Sequence, residues 1–352
     1  MYTSIINFLL FGADNMSRIF LPNLVKELGA SDMELGLIVG IYSAMTFTAH
    51  YIFGRASDMH GRRIILRTGL LLSAITFMLQ VFTKDYSSLF LARALAGFTM
   101  GIAPAALIAY VYEAKESIGK FSSYGAFGWF TGSIIAGVLV AYNRLFTASS
   151  IFLFIAFLIS LKMPSSGTKK IHVPFFPVKL IKKNVRIYVQ YFLRHVGANM
   201  TWTIYPIYLA GIGASPLWVG VTYAVNTGTQ AIVMRRLDKY DNRKLISRGL
   251  FLSIIFFGGL AMATNYIQVI PLSIVLGFSW AFLYVGSLES LLEGNVERAT
   301  ATGLLNSTIN SAGIVGPLAA GVIATLAGYR AAVAVSALLC IIAYVDNRLS
   351  KA

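Results

Sequence analysis

The stretch "GRASDMHGRR", residues 54–63, places three arginines and one histidine around Asp58 in a chain that is otherwise apolar. Of the 352 residues, 57% are hydrophobic and only 12% are charged. Soluble domains are nearer a quarter charged, so this composition excludes a single aqueous globular domain and favours a chain embedded in a bilayer. The charged stretch is then a polar turn between two apolar segments.

Apolar segments long enough to cross a bilayer recur along the whole chain. The connections between them are short, which leaves no room for a soluble catalytic domain. We therefore predict an all-α membrane protein with twelve transmembrane helices. The predicted spans are 4–25, 33–53, 64–83, 88–111, 121–142, 146–162, 187–210, 217–233, 248–264, 267–290, 301–326 and 329–346.

The net charge of +15 would suggest nucleic-acid binding in a soluble protein, but its distribution indicates a membrane. With a cytoplasmic N-terminus, the outer loops carry only Lys26, Lys84, Arg144 and Arg330, and most other Lys and Arg residues lie in the inner loops and C-terminal tail. This asymmetry follows the positive-inside rule. It predicts a multi-pass protein of the plasma membrane with both termini cytoplasmic, in contact with lipid rather than nucleic acid.

The two halves of the chain repeat each other. The run Gly29 to Ser31 recurs 184 residues later as Gly213 to Ser215, and Glu113 in the fourth span matches Glu293 in the tenth. The longest polar interruption, residues 163–186, separates the repeats. We predict a six-helix N-terminal half over 1–162, a cytoplasmic linker over 163–186 and a six-helix C-terminal half over 187–352.

The stretch 54–63 also resembles the loop signature of the major facilitator superfamily, G-x-x-x-D-[RK]-x-G-[RK]-[RK]. One position differs, since Met59 stands where the signature has a basic residue. Together with the repeat, the resemblance covers essentially the whole chain. It implies the major facilitator fold and a secondary transporter that works by alternating access around a site at the membrane midplane. The matching residues are Gly54, Asp58, Gly61, Arg62 and Arg63.

The resemblance implies that this loop is a gating latch. Gly54 would permit close helix packing and Gly61 a tight turn, while Asp58 would pair with Arg62, Arg63 or the facing half. The second half keeps Asp238 and Arg243 in "MRRLDKYDNRK", residues 234–244, but has lost both glycines. Glu113 and Glu293 are expected to be partners of the loop arginines. The alternative is a basic loop that only sets topology.

The fifth span resembles the antiporter motif of the same superfamily. Gly128, Gly132, Ala136 and Gly137 match the small-residue pattern, with Ser133 in place of its proline. This resemblance favours export over uptake.

Charges inside the membrane are costly and usually have a function. Asp14 and Arg18 are four residues apart and hence on one helix face, so we predict a proton-coupling carboxylate with its partner. Arg93 would compete with Arg18 for Asp14, bind an anionic substrate or extend to the outer interface. Glu289 is a second coupling candidate. The alternative for Asp14 and Arg18 is a permanent, inert ion pair.

Substrate contacts are expected from spans one, four, seven and ten, which line the cavity in the fold that the chain resembles. The polar and aromatic side chains there would bind substrate or, alternatively, serve as hydrogen bonds between helices. These candidates are Asn15, Thr99, Asn199, Trp202, Tyr205, Trp280 and Tyr284.

We therefore predict a secondary active transporter, acting as a monomer, that exports a drug-like compound or metabolite by proton antiport. The alternatives are proton-coupled uptake of a sugar or organic anion, and a membrane receptor that transports nothing. The sequence has no phosphate-binding loop, no clustered metal ligands and no nucleophile motif. We accordingly expect no enzyme activity, no metal and no cofactor.

Overall fold

The computed structural model describes residues 2–19, 21–30, 32–139, 141–164 and 173–349. Throughout these ranges the regular structure is helical, with thirteen α-helices joined by short turns and three single-turn 3₁₀ segments. The helical part of the fold prediction is therefore confirmed.

The first eight helices follow the predicted spans of the N-terminal half. The predicted fourth span is divided into α5 and α6 around Gly101 and Ile102, and Pro104 lies in the first turn of α6, where a missing N–H is tolerated. The bounds are α1 (Tyr2–Ile19), α2 (Leu21–Glu27), α3 (Asp32–His60), α4 (Arg62–Leu79), α5 (Tyr86–Met100), α6 (Ala103–Glu113), α7 (Ile118–Leu139) and α8 (Tyr142–Leu161).

The remaining five helices cover the predicted spans of the C-terminal half. The last is interrupted at Gly328, whose φ of 83° breaks the helix between the two final predicted spans. The bounds are α9 (Val178–Gly211), α10 (Pro216–Met234), α11 (Asn242–Met262), α12 (Val269–Gly294) and α13 (Arg298–Leu349).

Seven helical stretches within the described ranges are long and apolar enough to cross a membrane: 37–60, 62–82, 86–113, 142–161, 242–262, 266–294 and 298–349. The last of these contains the break at Gly328. Twelve separate spans remain a prediction.

The helices pack into two compact units. The first unit consists of Met1–Val178 together with Gly294–Asn310, and the second of Lys179–Glu293 together with Ser311–Ala352. The chain thus passes from one unit to the other within the predicted linker, and the beginning of α13 packs with the first unit.

Glycines bring α1 and α7 into close contact in the first unit. A Cβ atom on Gly132 would lie 2.7 Å from the carbonyl oxygen of Gly12, and one on Gly128 would overlap the carbonyl oxygen of Phe8. The small residues that resemble the antiporter motif therefore have a packing role here.

The second unit has an apolar core built from several of its helices. Phe256 and Phe257 of α11 are fully buried in it, together with Leu209 of α9 and Val269 of α12. Tyr205 is part of this core, and Trp202 packs against it.

Candidate functional site

A buried carboxylate lies on helix α1. Asp14 is 7% exposed, and its Oδ2 atom is 3.0 Å from Nη1 of Arg18, one helical turn away. The hydroxyl group of Tyr42, on α3, donates to the other oxygen, Oδ1, at 2.6 Å. Both carboxylate oxygens are therefore engaged, one by a cation and one by a neutral donor.

Arg93 of α5 lies on the other side of Tyr42. Its side chain is 1% exposed, with the guanidinium carbon 4.1 Å from the centre of the Tyr42 ring and Nη1 3.2 Å from Oε1 of Gln80. The guanidinium group is thus buried within the protein, between an aromatic face and an amide.

A close approach of α3 and α5 explains the position of Arg93. A Cβ atom on Gly97 would overlap the carbonyl oxygen of Tyr42, and the hydroxyl group of Thr46 donates to the carbonyl oxygens of Tyr42 and Gly97 at 2.7 and 2.9 Å. Arg93 precedes Gly97 by one turn and so projects over the Tyr42 ring. We refer to Asp14, Arg18, Tyr42 and Arg93 as the α1–α3–α5 charge cluster.

The sequence reasoning missed Tyr42 and Gln80. The signal available for Tyr42 was a phenol in the second apolar span, and a buried phenol normally requires a hydrogen-bond partner. Gln80 follows α4 and gave no signal beyond being an amide at a helix end.

The loop signature forms a dense network at the junction of α3 and α4. Asp58 forms an ion pair with Arg62 and accepts hydrogen bonds from the backbone N–H groups of Ala299 at 3.3 Å and Thr300 at 2.7 Å. It also accepts a hydrogen bond from the Thr300 hydroxyl group. Asp58 therefore caps the first turn of α13, although it belongs to α3.

Glu113, at the end of α6, is a second carboxylate in this network. Its Oε1 atom lies 2.8 Å from Nη2 of Arg62 and 3.8 Å from Nη1 of Arg298. The Arg298 guanidinium group also packs over the Tyr112 ring at 4.9 Å. The pairing of Glu113 with a loop arginine, expected from the sequence, is present, and Arg298 is an additional partner that the sequence did not indicate.

The two signature glycines have different structural roles. A Cβ atom on Gly54 would lie 2.7 Å from the carbonyl oxygen of Ala299 and 3.1 Å from Cα of Gly303, so Gly54 allows α3 to touch α13. Gly61 has a φ of 102° and forms the turn between α3 and α4. Arg63 is half-buried, and its Nε atom has no hydrogen-bond partner in the described part of the chain.

The corresponding loop of the second half is built differently. Asp241, at the position of a signature glycine, caps α11 by accepting from the backbone N–H of Lys244 at 2.8 Å. Glu293 accepts a hydrogen bond from the side-chain amide of Asn242 at 3.1 Å, so an amide donates to it where an arginine pairs with Glu113. Arg243 is exposed in the first turn of α11.

Glu289 lies on α12, one turn before Glu293, and is 8% exposed. Asp238, in the single-turn 3₁₀ segment Leu237–Lys239, is an acidic neighbour of this side chain. The pair joins a predicted coupling residue to a predicted latch residue.

Two of the predicted substrate residues in the first unit act as hydrogen-bond partners between helices. The side-chain amide of Asn15 donates to the Trp129 carbonyl oxygen and the Ser133 hydroxyl group, both at 2.7 Å. The hydroxyl groups of Thr99 and Thr76 are 2.7 Å apart. Both residues thus form hydrogen bonds between helices, which is the alternative to substrate binding given above.

Three predicted substrate residues lie on α9. Trp202 and Tyr205 have their ring centres 5.0 Å apart, and each packs on Tyr223 of α10, at 5.4 and 5.3 Å. The side-chain amide of Asn199 donates within its own helix to the carbonyl oxygen of His195 at 2.9 Å. We call Trp202, Tyr205 and Tyr223 the α9–α10 aromatic group.

Trp280 and Tyr284 form a separate group with α9. Their rings are stacked with centres 5.4 Å apart, and Trp280 lies 4.8 Å from the ring of His195. His195 is in turn stacked on Tyr191 at 4.5 Å. The Tyr191 hydroxyl group is buried and has no hydrogen-bond partner in the described ranges.

Arg194 completes this second group, although the sequence reasoning did not include it among the site residues. It is 3% exposed, donates from Nε to the Ser253 hydroxyl group at 3.1 Å and lies 5.3 Å from the Trp280 ring centre. Among the described residues, no carboxylate pairs with it. The α9–α12 group thus combines a buried cation, aromatic faces and an unsatisfied phenol.

Comparison with known proteins identifies the chain's relatives. The family described as Major Facilitator Superfamily matches residues 3–296 and, a second time, residues 187–349. The multidrug resistance protein MdtG of Proteus mirabilis (strain HI4320) is 28% identical over 344 residues, with 89% of this chain and 85% of that protein covered. The quinolone resistance protein NorA of Staphylococcus aureus (strain MSSA476) is 24% identical over 342 residues, with 89% and 87% covered.

A solved structure has a similar fold. The crystal structure of the human organic anion transporter MFSD10 (TETRAN) has a TM-score of 0.84 and 17% sequence identity, and the match covers 98% of each chain. At this identity the likeness describes the fold alone.

Proposed function

Since the chain belongs to the major facilitator superfamily of membrane transporters, we propose that it is a secondary active transporter that exports a drug-like compound or metabolite in exchange for protons. The names of the relatives MdtG and NorA support export, because they describe multidrug and quinolone resistance. We propose twelve spans arranged as two six-helix repeats, with both termini in the cytoplasm.

Asp14 carries the proton-coupling part of the proposal. It is a carboxylate held inside the α1–α3–α5 charge cluster, where Arg18 pairs with one oxygen and Tyr42 with the other. Protonation of Asp14 would release Arg18, whose side chain is half exposed, so one proton would change the position of one cation. A permanent pair with no function could be replaced by apolar packing at little cost, and the cluster is therefore more consistent with coupling.

Glu289 and Asp238 supply a second proton site in the proposal. Asp238 is an acidic neighbour of Glu289, and two carboxylates close together repel each other, which favours the uptake of a proton by one of them. The two sites lie in different units, Asp14 in the first and Glu289 in the second. We propose Asp14 as the principal coupling residue because its carboxylate is engaged by a cation that can move.

Proteoliposomes test the proposal. The purified protein is reconstituted with an acidic lumen, and lipophilic cations, zwitterionic quinolones, sugars and organic acids are added outside. Antiport predicts that particular compounds make the lumen more alkaline and that Asp14→Asn abolishes this response. Asp85→Asn is the matched control, because Asp85 is the N-cap of α5 and asparagine caps a helix equally well. Asp14→Asn protein with wild-type proton coupling would overturn the assignment.

Arg194 favours one second candidate, proton-coupled uptake of an organic anion. A buried cation that no carboxylate of the described residues pairs with offers a charge to a substrate, and the Trp280 ring, stacked on Tyr284, lies beside it. The same liposomes with a neutral lumen test this function, because inward acidification on adding aromatic carboxylates would show symport. Arg194→Gln should abolish that signal, whereas it should leave the transport of lipophilic cations intact.

The number of spans is tested separately by labelling. Cys340 is the single cysteine of the chain, so a Cys340→Ser protein is a cysteine-free background for placing single cysteines in the loops. Twelve spans predict that Lys84→Cys reacts with an impermeant reagent from outside the cell. Lys239→Cys should react only after the membrane is opened, and labelling of both from outside would contradict the topology.

A further inference from the structure

A cavity of about 210 Å³ lies beside the first three turns of α11 and the last two turns of α13, within the second unit. This volume is several times the ~30 Å³ that one water molecule occupies in the liquid, so a phosphate-sized group fits. None of the residues proposed above for coupling, gating or substrate binding lines it. The cavity is formed by Lys244, Ser247, Arg248, Phe251, Tyr344 and Arg348.

The polar side chains that line the cavity are either cationic or neutral. Three of its six side chains are cationic, two are neutral hydroxyl groups, and none is a carboxylate. Within the ranges that the structure describes, these five polar side chains form no hydrogen bond or ion pair with other protein groups. Five side chains that can donate hydrogen bonds line one cavity without a carboxylate among them, which fits an anion with several oxygen atoms, such as a phosphate group.

The surroundings of the cavity resemble a membrane interface. α11 is one of the helices that are long and apolar enough to cross a membrane, and the cavity lies at its N-terminal end, where a helix favours negative charge. Phe251 is 48% exposed, and its ring centre is 5.8 Å from that of Tyr344. Aromatic and basic side chains at a helix end are typical of the level at which lipid headgroups lie.

We infer that this cavity binds the phosphate headgroup of an anionic phospholipid, on the side of the membrane predicted to be cytoplasmic. Lys244, Arg248 and Arg348 bind the phosphate oxygens, while Ser247 and Tyr344 donate neutral hydrogen bonds. Phe251 contacts the beginning of the acyl chain. The inference does not depend on which compound the protein transports, because the cavity lies outside the proposed transport residues.

Binding is tested on the purified full chain in a neutral detergent. Phosphatidylglycerol, phosphatidylcholine and inorganic phosphate are titrated separately, and both the thermal unfolding midpoint and the lipid retained in native mass spectrometry are measured. Phosphatidylglycerol is expected to bind and to raise the midpoint, whereas phosphatidylcholine is not. Stabilisation by inorganic phosphate alone would overturn the lipid assignment and leave a free-phosphate site.

The variant Lys244→Gln/Arg248→Gln/Arg348→Gln removes the three cations of the cavity. Each basic residue near an anionic surface contributes to the free energy of binding. Loss of all three should therefore lower the apparent affinity for phosphatidylglycerol by about tenfold or more. The matched control, Lys179→Gln/Lys182→Gln/Arg186→Gln, removes the same charge from exposed positions of α9. An equal loss in both variants would show that general surface charge, and not the cavity, attracts the lipid.

A milder variant keeps the inference testable if the triple variant does not fold. Ser247→Ala/Tyr344→Phe removes the two hydroxyl groups and retains all three charges. The apparent affinity should then fall about thirtyfold, since two neutral hydrogen bonds of roughly 1 kcal/mol each are lost. Unchanged affinity in this variant, with the phosphatidylglycerol response intact, would place the lipid elsewhere on the protein.

Discussion

The Tyr42 ring lies directly beneath the guanidinium group of Arg93, whose central carbon is 4.1 Å from the ring centre. The same ring carries the hydroxyl group that donates to Asp14 at 2.6 Å. Tyr42 therefore contacts a cation with its face and a carboxylate with its edge. The two charges influence each other through this one side chain, and no direct hydrogen bond between them is needed.

Tyr42→Phe should separate these two roles. The ring remains under Arg93, but Asp14 loses one hydrogen bond to a buried carboxylate, which is worth roughly 1.5–3 kcal/mol. The unfolding midpoint should fall, and proton-coupled transport should become less steeply dependent on the pH gradient. Tyr51→Phe is the control, because the hydroxyl group of Tyr51, also on α3, donates to the backbone carbonyl oxygen of Phe175 and not to a carboxylate. Equal effects of both variants would argue against a special role for Tyr42.

Asp58→Asn should slow the transport cycle. Asparagine keeps the size of the side chain but loses the ion pair with Arg62, and breaking a buried pair typically costs about 3–5 kcal/mol. We expect a lower turnover number with nearly unchanged substrate affinity, as measured by initial rates in proteoliposomes. Asp238→Asn, at the corresponding position of the second half, should have a smaller effect. Unchanged turnover in Asp58→Asn would contradict a gating role.

Gly54→Ala adds only one methyl group but should strongly reduce both stability and transport. The added methyl group would lie 2.7 Å from a carbonyl oxygen of α13, and such overpacking typically costs about 1–3 kcal/mol. Thermal unfolding and transport should both be impaired. Gly40→Ala, in the same helix, has no atom of the described residues within 4 Å of the new methyl group and should be neutral or slightly stabilising. Comparable losses in the two variants would show that contact with α13 is not responsible, since alanine has the higher helix propensity and does not by itself destabilise the helix.

Tyr191→Phe distinguishes a substrate contact from a packing defect. The Tyr191 hydroxyl group is buried and, in the part of the chain described, has no hydrogen-bond partner, so its removal should leave stability unchanged or raise it by about 1 kcal/mol. Weaker substrate binding together with undiminished stability would identify the hydroxyl group as a ligand. A lower unfolding midpoint would instead indicate a structural partner and would remove Tyr191 from the site.

The helices could be predicted from the sequence, because apolar segments of this length and the turn residues between them are local features. The Asp14–Arg18 pair was also local, since a four-residue spacing places both on one helix face. Contact partners that are distant in the sequence could not be predicted. Nothing in the sequence places Thr300 against Asp58, or Gln80 against Arg93, because such contacts depend on how helices pack.

The substrate candidates show the same limit. Asn15 and Thr99 were selected because they are polar within apolar spans, but that property is equally required of hydrogen bonds between helices, which both of them form. Arg194 was not among the predicted site residues, because the predicted span 187–210 places it near a helix end, where long basic side chains usually reach the interface. Helix α9 begins at Val178, earlier than the predicted span, so Arg194 lies well inside the helix and is buried.

The first turn of α13 is capped by a residue of another helix, Asp58 of α3, and its stability therefore depends on that contact. The first N–H groups of a helix have no partner within it, and here Ala299 and Thr300 obtain theirs from a residue more than 200 positions earlier in the chain. Any motion that separates Asp58 from Thr300 removes this cap and exposes both groups to water. Separation of α13 from Asp58 and fraying of its first turn then occur together. The rate of backbone amide hydrogen exchange at the start of α13 therefore measures how often the two helices separate.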